Sequence, residues 1–168
     1  MSFLLEVGQV FAELGREVEV DTASSTLAVE SALPEQSRLL VVVRPLTQAL
    51  TIYAVHPREV PAERLAALAE LAARANATEF TVTIELDHAQ GTVSTRAGLE
   101  LLGVELTQLD AESMLGVLVA EVESVARCYT GPIDAVVAGE VSPATAAAQG
   151  LAARRDERFA EATPTPTK

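Results

Sequence analysis

Arg38-Leu39-Leu40-Val41-Val42-Val43-Arg44-Pro45, followed by Leu50-Thr51-Ile52-Tyr53-Ala54-Val55, is the stretch whose reading decides the fold. Both runs are rich in β-branched residues and bounded by Pro, which is the pattern of strands rather than helices. Leu27 and Val29, alternating with Thr26, Ala28 and Glu30, add a strand before them. Pro34-Glu35-Gln36-Ser37 supplies the turn between. Spacings this short predict an antiparallel meander of three strands. Both alternating sets of the meander are apolar: Leu39, Val41 and Val43 in one, Leu40 and Val42 in the other, with Tyr53 and Val55 opposite Ile52 and Ala54. A sheet with one wet face should instead alternate apolar and polar. The second face therefore calls for a cover, either the terminal helix of the same chain or another protein. Leu39, Val41, Val43, Tyr53 and Val55 are the residues expected at a partner or dimer interface.

Outward from the meander the period changes. Phe3, Val7, Val10, Phe11 and Leu14 share one helical face, and Gly15 stands where such a helix stops. The acidic passage that follows carries no assigned element. Downstream, Pro61 to Asn76 reads as a helix with Pro in its first turn, Glu63 near its positive end and Asn76 as a left-handed terminator. Phe80, Val82, Ile84 and Leu86 alternate with Glu79, Thr81, Thr83 and Glu85. With Asp87-His88-Ala89-Gln90-Gly91 as the turn and Thr92 to Ala97 returning, they predict a hairpin with one wet face. A last long helix should open at Thr107 or Asp110 and end near Tyr129 at Gly131-Pro132. Ser142-Pro143 then reads as a helix cap before an Ala-rich segment. The order α-β-β-β-α-β-β-α belongs to the α+β class, an antiparallel sheet packed with helices. Residues 1–149 form one domain, and residues 150–168 form a charged, then Thr/Pro-rich tail, partly helical or mobile.

Composition narrows the function. The chain has 168 residues, 49% of them hydrophobic and 4% aromatic, with no Trp and a formal net charge of −12. So acidic a surface repels phosphates and anionic headgroups, which argues against direct nucleic-acid and membrane binding. One cysteine, Cys128, allows no internal disulfide, which suits a cytoplasmic protein. The only lysine is Lys168, and no phosphate-binding Gly-rich loop exists. His56 and His88 lack metal-ligand spacing and read as surface histidines. Cys128 falls near a helix C-terminus, the end that disfavours a thiolate, and reads as a bystander. No catalytic, cofactor-binding or metal-binding residue is expected, and the chain reads as non-enzymatic.

Asn76, the hairpin Phe80-Thr81-Val82-Thr83-Ile84-Glu85-Leu86-Asp87 with Gly91-Thr92-Val93, Leu106-Thr107, Tyr129, and Val136-Val137-Ala138-Gly139-Glu140-Val141-Ser142-Pro143 together resemble the YbjN-like family of bacterial sensory transduction regulators. The resemblance runs from Met1 to Gln149. Ala77-Thr78-Glu79 stands where the family often has a Gly before its hairpin. The resemblance implies a type III secretion chaperone-like fold, a homodimer, and an adaptor- or chaperone-like role in bacterial regulation or stress, without catalytic residues. The alternative function is a small-molecule sensor with a pocket between sheet and helices. An enzyme relying on Cys128 or His88 comes third.

Overall fold

The computed structural model describes residues 2–103 and 108–162. Its element order is α1 (Phe3–Glu13), β1 (Val18–Asp21), β2 (Thr26–Leu33), β3 (Gln36–Arg44), β4 (Ala49–Val55), α2 (Leu65–Asn76), β5 (Thr83–Asp87), β6 (Thr92–Glu100), α3 (Gln108–Ala138) and α4 (Pro143–Ala162). The six strands make one antiparallel sheet in the order β1-β2-β3-β4-β6-β5. The α+β class is as expected, with one more strand and one more helix.

The added strand is β1. Val18 and Val20 alternate there with Glu19 and Asp21, a period-2 pattern hidden in the acidic passage. It pairs only with β2, and its acids belong to an edge strand that must discourage further pairing. The meander thus has four strands, not three.

Helices cover one face. α1 packs on β1 and β2, α3 crosses β2, β4 and β6, and α2 lies by β5. Beneath them runs the row Leu27–Val41–Ile52–Ala97, each residue opposite the next on adjoining strands and nearly or fully buried. Leu39, Leu50, Ile84 and Val93 extend this core. α4 forms a further layer on α2 and α3 rather than over the open side of the sheet.

Helix α3 does not stop at Gly131-Pro132: Pro132 lies inside it. Proline there removes one backbone donor. The buried side chains of Ile133 and Val136 beyond it hold the helix on the core, so packing overrides the local stop. Likewise α4 passes from Gln149 to Gly150 without a break. Gly150 is buried against Tyr129, and a Cβ on it would collide with the ring. Leu106-Thr107 and the Thr/Pro-rich end from residue 163 lie outside the described residues.

Two local expectations are corrected. Asn76 is not left-handed; α2 runs to it with a right-handed residue following. Its side-chain amide instead donates to the Ile84 carbonyl at 2.9 Å and accepts the Ile84 N–H at 2.8 Å. Phe80 is not on the hairpin's apolar face. It precedes β5 and is 98% exposed, while Val82 and Ile84 are buried. The turn behaves as expected: Gly91 has φ +64°, and Asp87 Oδ1 accepts the N–H groups of Ala89 and Gln90.

Candidate functional site

The face of the sheet turned away from the helices is the candidate site. The register places Glu19, Ala28, Leu40, Tyr53, Arg96 and Thr83 in one row across all six strands. Next to it run Asp21, Thr26, Val42, Thr51 and Gly98. Val55, opposite Ser94, continues the apolar centre. Leu40 is 41% exposed, and Val42, Tyr53 and Val55 are half-buried by their neighbours on the strands. The flanks are charged. Arg38 reaches Glu19 at 3.0 Å and Glu17 at 3.4 Å on one side, and Arg96 pairs with Glu85 on the other. An apolar centre with a polar rim has the anatomy of a docking patch.

The five residues named from the sequence do not share this surface. Leu39, Val41 and Val43 lie in the core under the helices. Tyr53 and Val55 lie on the open face. The cause is register: Leu40 stands opposite Tyr53, so odd-numbered residues of β3 share a face with even-numbered residues of β4. The proper companions of Tyr53 and Val55 are Leu40 and Val42. That parity depends on the connection through the 3-10 turn Pro45–Thr47 and the left-handed Gln48, which no composition signal reveals.

The helix side carries charge of another kind. Arg16 grips Glu123 through two hydrogen bonds, Nη1 to Oε1 at 2.6 Å and Nη2 to Oε2 at 2.9 Å, and also donates to the Glu30 carbonyl. Glu123 further accepts the Ala32 N–H at 2.8 Å, where the β2–β3 ladder is irregular. Arg154 on α4 is 2% exposed and donates to Glu79 at 3.3 Å, to Glu121 at 2.6 Å, and to Ser124. These contacts tie α4 to α3 and to the loop before β5. The matched charges and multiple bonds of both clusters mark them as structural fasteners.

Reactive groups are muted. Burial, then the negative charge of Glu157, pushes the Cys128 thiol up to about 11, the opposite of what a nucleophile needs. His88 is exposed in the β5–β6 turn. His56 departs from its expected surface position: its side chain is only 5% exposed and lies 3.7 Å from Asp134. Among the described residues, no group of three or more His, Cys, Asp or Glu is placed to hold a metal ion. Among the same residues, no helix is long and apolar enough to cross a membrane.

No family model and no curated protein matches the chain. Among solved structures it is similar to the crystal structure of YbjN from E. coli, described as a candidate transcription regulator, at 16% identity and a TM-score of 0.54, over 71% of this chain and 85% of that one. At this identity the likeness speaks for architecture alone: the six-stranded antiparallel sheet with helices packed against it is the fold of YbjN.

Proposed function

We propose that the chain is a non-catalytic, cytoplasmic protein-binding module, an adaptor or chaperone-like component of bacterial regulation, that docks through the open face of its sheet and pairs there with a second copy of itself. The observation that carries this reading is the row Ala28–Leu40–Tyr53 with Val42 and Val55 beside it, apolar and uncovered on a sheet whose other face is sealed. Six strands about 4.8 Å apart, with about seven residues each, span roughly 600 Å². A standard interface uses about 800 Å² per partner, so the face is of the right order for a modest, reversible contact.

YbjN is described as a candidate transcription regulator. The acidic flanks Glu17, Glu19, Asp21 and Glu85 favour a regulatory route through protein contact rather than through DNA phosphates. Two chains of net charge −12 repel each other, so added salt should strengthen self-association by screening.

Light scattering across low micromolar concentrations tests the pair. Dimer mass that grows with concentration and salt, and is lost in Leu40→Asp and Tyr53→Asp variants that keep a cooperative unfolding transition, is the expected result. A monomer at every concentration, unaffected by either substitution, rules out the self-pairing reading.

A further inference from the structure

A cavity of about 250 Å³ opens between the β2–β3 turn, the end of β4 and the Gly131 stretch of α3. It is separate from the apolar centre of the open face. Leu33, Ala54 and Val93 give it apolar wall, while Glu35, Thr130 and Asp134 contribute oxygen. An apolar chamber with a few convergent polar groups is the usual form of a small-molecule site. A cavity of 150 Å³ accommodates benzene, so this one suits a molecule of roughly ten non-hydrogen atoms.

The chemistry of the lining narrows the ligand. His56 Nδ1 lies 3.2 Å from the Arg58 N–H and 3.4 Å from the Arg58 carbonyl; taking the shorter contact as the hydrogen bond makes Nδ1 the acceptor and Nε2 the donor. Nε2 is buried and has no hydrogen-bond partner among the described residues. The nearest oxygen, Asp134 Oδ1, is 3.7 Å away, too far for a hydrogen bond. That Oδ1 lies 3.1 Å from Arg58 Nε, an ion-pair contact without the angle of a directed bond. Buried donors in native proteins are rarely left idle. His56 lines the cavity, and the last torsion of a histidine is soft, so its ring can adjust to a ligand there.

Charge points the same way. The arginines nearby are engaged, Arg127 by Glu157 and Arg58 by Asp134. Glu35 makes no ion pair among the described residues. Thr130 donates its hydroxyl proton to the Ala126 carbonyl at 2.8 Å, leaving its oxygen as an acceptor. The cavity thus offers one unpaired carboxylate and a hydroxyl oxygen for a cation, and one donor for an oxygen. We propose that it binds a compact amine bearing a hydroxyl or carbonyl oxygen, with the ammonium toward Glu35 and the oxygen toward His56 Nε2.

A matched series of probes tests this: 2-amino-1-phenylethanol, 2-phenylethylamine and mandelate, each titrated against the full chain by calorimetry and thermal melting. The amino alcohol should raise the melting temperature by about 3 °C at ten times its Kd. The amine lacking the hydroxyl should bind about fivefold more weakly, and mandelate should not bind. Glu35→Gln should weaken the amino alcohol about threefold, as expected for one exposed ion pair. Gly131 lines the cavity from an exposed position where a Cβ meets open space, so Gly131→Leu adds bulk at the cavity mouth without a clash. That variant should stay folded, since no neighbour is displaced, and lose binding. Binding of mandelate as tight as the amino alcohol, retention of binding in Gly131→Leu, or no saturable binding by any probe at a Kd below about 1 mM would overturn the proposal. None of these outcomes depends on whether the chain pairs with itself.

Discussion

Leu39 and Leu40 are chemically identical neighbours on β3, yet one is fully buried and the other is 41% exposed. The same contrast holds for the two faces of the whole sheet. Behind Leu39 stand α1 and α3, and the charges on that side are drawn inward as multiply bonded pairs. Around Leu40 no helix stands among the described residues, the centre stays apolar, and the charges sit at the flanks. The comparison teaches that apolar content alone does not distinguish a core from a docking surface; what stands opposite it does.

The largest test of the contrast is the neighbouring pair itself. Leu39→Ala should cost about 3 kcal/mol of unfolding free energy, transfer and cavity terms together, whereas Leu40→Ala should change it by less than about 0.5 kcal/mol. Urea titration of both variants at a concentration where the chain is monomeric reads the difference. Equal losses would mean that the open face is covered after all.

Next come the two arginine pairs. Arg16→Ala leaves Glu123 buried with one backbone donor and the carboxylate uncompensated. The loss should be about 2 kcal/mol, below the ~3–5 of a fully buried pair because Arg16 keeps some contact with solvent. Arg38→Ala on the open side should cost less than about 0.5 kcal/mol. A deficit that persists in 1 M salt for Arg16→Ala alone would sharpen the distinction.

The smallest effect is in pH. Burial tends to raise the Glu157 carboxyl, but hydrogen bonds from Ser124 and Cys128 and the charge of Arg127 outweigh it and hold it below its ordinary value of 4.5. A depressed carboxyl stabilises the fold above its unfolded pKa, and that contribution fades as pH falls through the folded value. Between pH 7 and 5 the stability difference between wild type and Glu157→Gln should therefore be constant. Below about 4.5 it should shrink. Chemical denaturation across that range checks the sign.

Much of this contrast was legible in the sequence. The two-sided apolar pattern of residues 39–43 and 50–55 announced apolar residues on both faces of the sheet, and the α+β class followed from the alternation of periods. Parity was not legible. Whether Leu40 or Leu39 joins Tyr53 depends on the backbone path of residues 45–48, a matter of dihedral angles at Gln48 rather than of residue type. β1 was missed because three acids in five residues mask a two-residue period, and an edge strand needs little apolar content. Pro132 was misjudged because a local rule for stopping helices lost to the burial of Ile133 and Val136. The His56–Asp134 approach joins residues 78 positions apart, and no spacing along the chain could have suggested it.

The amide of Asn76 has a consequence for how these molecules behave in crowds. β5 is a terminal strand, and the Ile84 N–H and C=O turned away from β6 are the groups that an incoming chain would need to extend the ribbon. Asn76 occupies both, mimicking one residue of a seventh strand without contributing a backbone of its own. A single side chain thereby plugs the growing end of the sheet, so that molecule-to-molecule stacking into fibres is blocked at this margin.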